Sequence, residues 1–263
     1  MQVKPECPSQ GARAAAPATA VSKKYTFAQK TCVSAVGKLM QHAGMIAPGA
    51  RVGVAVSGGV DSFTLLHVLR IRQRIVPFHF DLMVLHVNAG FDPGDHAPLA
   101  HYCRAHGLAA HLDVTDFGPR AHSPENRENS PCFFCAMLRR KRLFDLCREY
   151  GLTHLALGHN ADDLVTTFFM NLVQNGRVDG LAHNESYFQG RLRVIRPALG
   201  VEKQHIRAAA RQWDLPVWEN ICPSNGLTRR DEIGAWAASA WRNNKRIKNN
   251  IYNALRRFQL DLG

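Results

Sequence analysis

The chain has 263 residues, of which 46% are hydrophobic, and its formal net charge is +12. This length suits one packed domain with additional segments, and no apolar run reaches the eighteen or so residues that predict a membrane-spanning helix. The large positive charge favours polyanionic partners such as nucleic acid, and an odd number of cysteines, seven, argues against a disulfide scaffold.

The first 23 residues are predicted to form a disordered lead-in, because residues 10–21 are rich in alanine and proline. This stretch lacks the hydrophobic core of a secretory signal. It contains Arg13 and few acidic side chains, so an organelle transit peptide is an alternative interpretation. Because the cysteine usage suits a reducing compartment and no membrane segment is found, we expect a cytoplasmic protein.

From residue 24 onward, helical patterns alternate with short apolar runs. We predict a first helix over 24–45 and then strands over 51–57, 81–88, 110–114, 154–159 and 191–199. Further helices are predicted over 61–75, around 101–107, and over 131–150, 161–174 and 201–214. This alternation predicts an α/β fold with a doubly wound parallel sheet of about five strands, which binds ligands at the carboxyl ends of the strands. Residues 24–226 would form this domain, and residues 227–263 a basic helical tail.

The loop between the first strand and its helix has the sequence Ser57-Gly58-Gly59-Val60-Asp61-Ser62. The two glycines let backbone N–H groups approach an anion closely, and the helix N-terminus adds partial positive charge. Ser57 and Ser62 can donate hydroxyl hydrogen bonds to phosphate oxygens. Asp61 would be repelled by phosphate alone, so its presence suggests Mg²⁺. The alternative is an ordinary Gly-Gly turn in which Asp61 caps the helix.

This SGGxDS pattern resembles the PP-loop of the ATP pyrophosphatases, which have an adenine nucleotide alpha hydrolase-like fold. Those enzymes bind the pyrophosphate end of ATP and release it as they transfer AMP to a substrate. The resemblance implies that His86, at the end of the second strand, lies near adenine. It also implies nucleotide contacts from a segment similar to the family's GHxxDD box, which here comprises Gly158, His159, Asp162 and Asp163, and from Arg196 in an Arg-Pro step. Helix N-capping by Asp162 is the alternative for the acidic pair.

Cys132 and Cys135 open the predicted helix over 131–150, with Ser130 as its N-cap. Residues three apart share a helix face, so both sulfurs can reach one metal centre, and the first helical turn favours the thiolate. Cys222 is a third cysteine, late in the chain. Three thiolates leave one metal position open, either in a zinc site or in a 4Fe–4S cluster, and the spacing does not separate these two options. The other cysteines are interpreted as core or incidental residues: Cys7, Cys32, Cys103 and Cys147.

The sequence combines a PP-loop, a CxxC followed by Leu-Arg-Arg, a GHxxDD box and a late cysteine. In this combination it resembles the tRNA 2-thiocytidine synthetase family, from about residue 24 to residue 230. The resemblance implies that Cys132, Cys135 and Cys222 ligate a 4Fe–4S cluster and that Asp61 acts with them in catalysis. It further implies ATP-dependent thiolation of C2 of a tRNA cytidine, at position 32 of the anticodon loop. A partner such as a cysteine desulfurase would supply the sulfur, and a homodimer is compatible with this function.

Two positions depart from the family pattern. Glu219 stands where a second CxxC motif would have its first cysteine, which excludes a persulfide relay through that position. Val60 stands where the thiocytidine enzymes usually carry a lysine, which removes one phosphate contact.

Basic side chains concentrate in two segments. Residues 228–258 contain eight lysines and arginines but only two acidic residues, and a second basic cluster follows the CxxC pair. We expect these segments to bind the tRNA backbone, which gives an affinity that depends on salt. The candidate RNA-binding residues are Arg139, Arg140, Arg142, Arg229, Arg230, Lys245 and Arg246. Four tryptophans are interpreted as core residues rather than base-stacking platforms: Trp213, Trp218, Trp236 and Trp241.

Other functions fit parts of the sequence. A lysidine-forming PP-loop enzyme would not need the three cysteines. The 2-thiouridine enzymes resemble this core but carry terminal zinc-binding cysteine clusters, which this sequence lacks. A nucleotide-binding iron–sulfur sensor without turnover would tolerate the change Asp61→Ala, whereas a thiolase would not.

Overall fold

The computed structural model describes residues 24–127, 129–219, 221–224, 226, 228–242 and 244–262. Its helices are α1 Phe27–His42, α2 Val60–Ile75, α3 Ala97–Ala105, α4 Phe117–Ala121, α5 Pro131–Glu149, α6 Ala161–Asn175, α7 Lys203–Gln212, α8 Arg229–Trp241 and α9 Lys245–Leu260. Its strands are β1 Arg51–Ala55, β2 Asp81–Asn88, β3 Ala109–Val114, β4 His154–Ala156, β5 Asn184–Tyr187 and β6 Leu192–Ile195. The predicted lead-in and Cys7 lie outside the described residues.

The strands form one sheet in the order β3-β2-β1-β4-β6-β5. β1 pairs in parallel with both β2 and β4, so the chain reverses its direction of winding between β1 and β4. Such a reversal opens a crevice at the carboxyl ends of the two strands, where open α/β sheets bind their ligands. The loop 57–62 and the segment 158–163 follow these two strands directly.

The sheet has six strands, one more than the sequence predicts. The additional strand is β5, which pairs antiparallel with β6 at the edge of the sheet. Its sequence, Asn-Glu-Ser-Tyr, has no apolar run because the strand is only partly buried. Hydrophobic patterning therefore gives no signal for it. The prediction of a doubly wound parallel sheet is confirmed for the other five strands.

Helices cover both faces of the sheet, as the alternation of strands and helices predicts. Val84 and Leu85 are neighbours in β2, yet they belong to two different apolar clusters. Val84 shares its cluster with Leu66 of α2, whereas Leu85 shares the other cluster with Leu146 of α5. A strand that buries successive side chains on opposite faces is typical of a parallel sheet covered on both sides.

The C-terminal segment is helical, as predicted, and it is divided into α8 and α9. Tyr252, Leu255 and Leu260 of α9 are buried in the same apolar cluster as Leu164 of α6. The basic helices therefore pack against the domain, and the boundary at residue 227 stays a prediction. Among the described helices, none has the length and apolar character needed to cross a membrane.

Candidate active site at the strand ends

Hydrogen bonds of two serines fix the conformation of the loop 57–62, which joins β1 to α2. Ser62 Oγ accepts a hydrogen bond from Ser57 N at 3.1 Å and donates one to Gly59 O at 3.0 Å. Gly58 has a φ of +94°, and a Cβ at this position would lie 2.3 Å from a ring atom of Trp218. α2 begins after Gly59 without a side-chain cap, so its first N–H groups can receive an anion.

Asp61, in the first turn of α2, connects three elements of the fold. Asn160 Nδ2 donates a hydrogen bond to Asp61 Oδ1 at 2.9 Å, and Lys203 Nζ lies 3.3 Å from Asp61 Oδ2. Burial raises the pKa of the Asp61 carboxyl, the positive charge of Lys203 lowers it, and the negative charge of Asp163 raises it again. A carboxylate that is mostly buried and close to a second carboxylate is suited to binding a cation.

Sequence reasoning missed Lys203, which is the first residue of α7. Its backbone N–H donates to Asp162 Oδ2 at 2.7 Å, while its ammonium contacts Asp61. A lysine in the first turn of a helix is opposed by the helix dipole and therefore needs an anionic partner. The unfavourable position of a lysine at the start of a predicted helix, shortly after the Arg-Pro step, is the one sequence signal that could have identified Lys203.

The acidic pair after β4 takes part in capping α6, but the cap itself is Asn160. Asn160 Oδ1 accepts hydrogen bonds from Asp162 N at 2.9 Å and Asp163 N at 3.1 Å, and Asp163 Oδ2 accepts one from Asn160 N at 2.9 Å. The alternative that made Asp162 the cap is therefore wrong, because Asn160 precedes it with an extended backbone suited to capping. The other carboxylate oxygen, Asp163 Oδ1, accepts a hydrogen bond from the Arg230 guanidinium at 3.0 Å.

Gly158 and His159 follow β4, and Gly158 contacts the end of the phosphate loop 57–62. A Cβ at Gly158 would lie 2.8 Å from Ser62 Cα, so only glycine allows this close contact between the two segments. Burial lowers the pKa of His159 to about 4, although the nearby Asp163 carboxylate acts in the opposite direction. The imidazole is therefore neutral at physiological pH, and it can accept or donate hydrogen bonds without adding a charge.

Cys135 and Cys222 line one cavity at the carboxyl ends of β1 and β2. Ser57, His86 and Arg139 line the same cavity. These side chains come from the phosphate loop, β2, α5 and the segment before α8, so only the fold brings them together. Two of the three predicted cysteine ligands, Cys135 and Cys222, therefore lie in the same cavity as Ser57 of the phosphate loop.

The electrostatic environment connects the three thiols. Burial raises the pKa of the Cys135 thiol, Arg139 lowers it, and the nearby Cys222 and Cys132 raise it. The expectation that the helix N-terminus favours the thiolate is thus corrected for Cys135, because desolvation disfavours the charged form more strongly. A metal that binds thiolate would have to displace this proton. Ser130 is the N-cap of α5, as predicted.

His86, Asp95 and His96 form a group that could hold a metal ion, with ligand atoms all within 4.8 Å of one another. His86 Nδ1 donates to Val56 O at 2.7 Å, and burial lowers the pKa of His86 to about 4. Among the described residues, His86 Nε2 has no hydrogen-bond partner. The charge of Arg139 acts on both His86 and Asp95 and opposes a cation here. The sequence did not single out Asp95 or His96, because they lie in a loop without a recognisable motif.

The basic residues of α5 have different surroundings. Arg139 faces the cavity, and Arg140 is close enough to His159 to lower its pKa. Arg142, predicted to bind RNA, forms ion pairs with Asp113 and Glu149, the second at 2.8 Å. The pair with Asp113 connects α5 to β3, whereas the pair with Glu149 lies within α5, and both leave Arg142 less free to contact a phosphate.

The basic residues of the C-terminal helices also differ from one another. Arg230 pairs with Asp163 at 3.0 Å and so belongs to the candidate site, whereas Arg229 pairs with Glu232 at 2.8 Å on the surface. Lys245 and Arg246, at the start of α9, are exposed. They are therefore accessible to a polyanion, as are the exposed Arg140 and Arg229.

Arg196 and Trp218 have partners that the sequence did not predict. Arg196 is 8% exposed, and its guanidinium contacts Ala182 O and, at 3.4 Å, Glu185 Oε2. Both partners belong to the edge of the sheet around β5, not to the phosphate loop. Trp218 packs against Phe63 and His86, each with ring centroids 5.9 Å apart, and lies over the loop. The interpretation of this tryptophan as a core residue alone is therefore incomplete.

The comparisons with known proteins agree with this geometry. A family model described as a PP-loop domain matches residues 29–227. A protein of Geobacter sulfurreducens named tRNA-cytidine(32) 2-sulfurtransferase is 33% identical over 239 residues, which cover 89% of this chain and 93% of the relative. A protein of the same name from Syntrophotalea carbinolica is 35% identical over 74% of this chain and 75% of its own length.

A solved structure shares the fold. The U34-tRNA thiolase NcsA from Methanococcus maripaludis, determined with its 4Fe–4S cluster, superposes with a TM-score of 0.69 at 21% identity. The superposition covers 90% of this chain and 85% of that one.

Proposed function

The chain belongs to the PP-loop family of tRNA-cytidine(32) 2-sulfurtransferases, and from this premise we propose that it uses ATP to replace the C2 oxygen of cytidine 32 in tRNA with sulfur. The observation that carries this proposal is the shared cavity of Ser57, Cys135 and Cys222. A phosphate loop and metal-binding thiols on one cavity wall are what a thiolase needs, since the activated base must meet both the nucleotide and the sulfur.

We propose that ATP binds with its phosphates on the loop 57–62. The uncapped start of α2 and the positive φ of Gly58 support this assignment, because backbone N–H groups at a helix start can bind an anion. The Ser62 hydroxyl donates to Gly59 O within the loop and would turn to the phosphate when the nucleotide binds. Asp61 is the carboxylate we assign to Mg²⁺, which would neutralise the phosphate charge. The neutral His86, His159 and the acidic pair after β4 would line the rest of the nucleotide site.

In the first step, the C2 oxygen of the cytidine attacks the α-phosphorus of ATP, and pyrophosphate leaves. Arg139 lines the same cavity as Ser57 and the two cysteines, where its charge can stabilise the negative charge that develops on the α-phosphate. The cytidine oxygen is then part of an AMP leaving group. In the second step, sulfide attacks C2, the C2–oxygen bond breaks, and AMP departs with that oxygen.

Cys132, Cys135 and Cys222 are the residues we assign to a 4Fe–4S cluster. Cys135 and Cys222 line the cavity, and both Cys132 and Cys222 are close enough to Cys135 to raise its pKa, which fits a common metal centre. When bound, such a cluster supplies an iron without a protein ligand that can hold sulfide. A hydrogen bond of 2.9 Å between His122 and Ser224 holds the segment of Cys222 in place.

The remaining assignments concern partners. Lys245 and Arg246 are exposed, and we assign them, with the other basic residues of α5 and α8, to the tRNA backbone. A sulfur donor such as a cysteine desulfurase is required by the reaction. We place the reaction in the cytoplasm, where thiols stay reduced, and a homodimer remains a proposal.

The test combines metal analysis with nucleoside analysis. After anaerobic purification, we expect iron and acid-labile sulfide in the wild-type protein and in Cys103→Ala, which changes a buried cysteine of α3 outside the motifs, but a loss of both in Cys222→Ala. In a deletion strain, the wild type and Cys103→Ala should restore 2-thiocytidine in tRNA, detected by mass spectrometry, and Cys222→Ala should not. One equivalent of zinc without iron, or 2-thiouridine or lysidine in place of 2-thiocytidine, would contradict the proposal.

A further inference from the structure

The phosphate loop of this chain lacks a basic residue of its own. Val60 occupies the position where the resembling enzymes carry a lysine. Its side chain is partly buried and packs against the apolar core. A PP-loop that binds the most highly charged part of ATP without a cation would be unusual, since phosphate sites combine N–H donors with lysine or arginine.

Lys203 brings an ammonium group to this loop from another element. Its Nζ lies 3.3 Å from Asp61 Oδ2, so the charge is located beside the residue that follows Val60. Its backbone is fixed by the 2.7 Å hydrogen bond from its N–H to Asp162. Its side chain is 36% exposed, so part of it is accessible to a ligand at the loop.

Arg139 lines the cavity on the side of the cysteines, and three other basic residues near the site have partners outside the phosphate loop. Arg230 pairs with Asp163, Arg196 contacts the edge of the sheet, and Lys248 pairs with Glu202 at 2.7 Å. Lys203 differs from them because its partner is the loop carboxylate itself, which the proposed function assigns to Mg²⁺. When Asp61 binds that cation, the ammonium of Lys203 loses its partner and is left next to the phosphates.

We propose that Lys203 is the phosphate-binding lysine of this enzyme and replaces, from the start of α7, the lysine that the loop has lost to Val60. In the free protein it neutralises Asp61, and in the nucleotide complex it contacts the pyrophosphate end of ATP. The helix dipole of α7 supports this exchange, because a cation at a helix N-terminus is held there only by a nearby anion. This inference rests on the proposed function, since it takes ATP as the nucleotide.

The first test measures the affinities of purified protein for Mg²⁺–ATP, Mg²⁺–pyrophosphate and AMP by calorimetry. We expect Lys203→Met to bind ATP and pyrophosphate about tenfold or more weakly, because a charge-assisted hydrogen bond is lost, and to bind AMP as the wild type does. Lys248→Met is the matched control, since it removes another ion-paired lysine next to α7 and should leave all three affinities unchanged. Unchanged pyrophosphate binding in Lys203→Met, or an equal loss for AMP, overturns the inference.

A second measurement uses the wild-type protein and does not depend on the stability of a variant. Amine acetylation followed by peptide mass spectrometry should show that ATP and pyrophosphate protect Lys203, while AMP does not, and that Lys245 is modified equally in all samples. Equal modification of Lys203 with and without pyrophosphate overturns the inference. A wild-type protein that binds no ATP at all would instead refute the proposed function.

Discussion

Gly58 and Gly59 are adjacent in the phosphate loop but have different requirements. Gly58 has a φ of +94° and touches Trp218, whereas Gly59 has a φ of −71° and its nearest neighbour for a Cβ is Ser57 Oγ at 3.6 Å. The positive φ is strained for any residue with a Cβ, and the contact with an indole ring adds a clash. Substitution by alanine is therefore expected to have different effects at Gly58 and at Gly59.

Gly58→Ala should destabilise the protein by about 1–3 kcal/mol and abolish ATP binding, because the loop must move away from Trp218. Gly59→Ala should cost less than about 1 kcal/mol and largely retain binding, since its backbone is ordinary for an N-cap. Urea unfolding and ATP titration of both variants check this prediction. Equal behaviour of the two variants would show that the contact of Gly58 with Trp218 does not constrain the loop.

At the scale of secondary-structure elements, the cap of α6 has two functions. Asn160 is fully buried, caps the helix through its side-chain oxygen and donates through its amide nitrogen to Asp61. A cap that also binds the phosphate loop couples the position of α6 to the position of α2. Thr26 caps α1 with the same capping-box pattern but has no contact with the loop among its described hydrogen bonds.

Asn160→Ala should reduce the free energy of unfolding by about 2 kcal/mol and also weaken ATP binding, because both the cap and the positioning of Asp61 are lost. Thr26→Ala removes an equivalent cap and should cost about 1 kcal/mol with no change in ATP affinity. Chemical unfolding and nucleotide titration distinguish the two roles. If Thr26→Ala weakens ATP binding as much as Asn160→Ala, general helix destabilisation would be the better explanation.

At the scale of the whole molecule, basic charge is divided between structural pairs and exposed positions. Arg142 connects α5 to β3 through Asp113 and pairs with Glu149 within α5, while Lys245 and Arg246 are exposed at the start of α9. Long-range attraction to tRNA is expected from the exposed charges, since paired charges contribute little net field.

The double variant Lys245→Ala/Arg246→Ala should weaken tRNA binding and lower the slope of log affinity against log salt by about 1–2, because about two phosphate contacts are lost. Arg142→Ala should reduce stability and change that slope little. Binding titrations at several salt concentrations measure both effects. A slope that changes only in Arg142→Ala would place the RNA surface on α5 instead of α9.

Much of the fold could be predicted because its signals are local. Apolar runs of strand length, each followed by a helical pattern, indicate a parallel sheet, and the carboxyl ends of parallel strands necessarily lie at one rim. The loop 57–62 and the segment 158–163 follow two of these strands and His86 lies near the carboxyl end of a third, so their proximity was predictable. β5 was missed because a short, partly exposed edge strand has no hydrophobic pattern.

The sequence by itself determined the type of sheet, the phosphate loop and the presence of three candidate metal-binding thiols, since each depends on neighbours along the chain. Only the tertiary structure decided that Lys203 reaches Asp61, that Trp218 lies over Gly58 and that Cys222 shares a cavity with Cys135. Contacts between distant segments depend on how helices and loops pack against the sheet. Such packing is a cooperative property of the whole core, so no short pattern of residues encodes it.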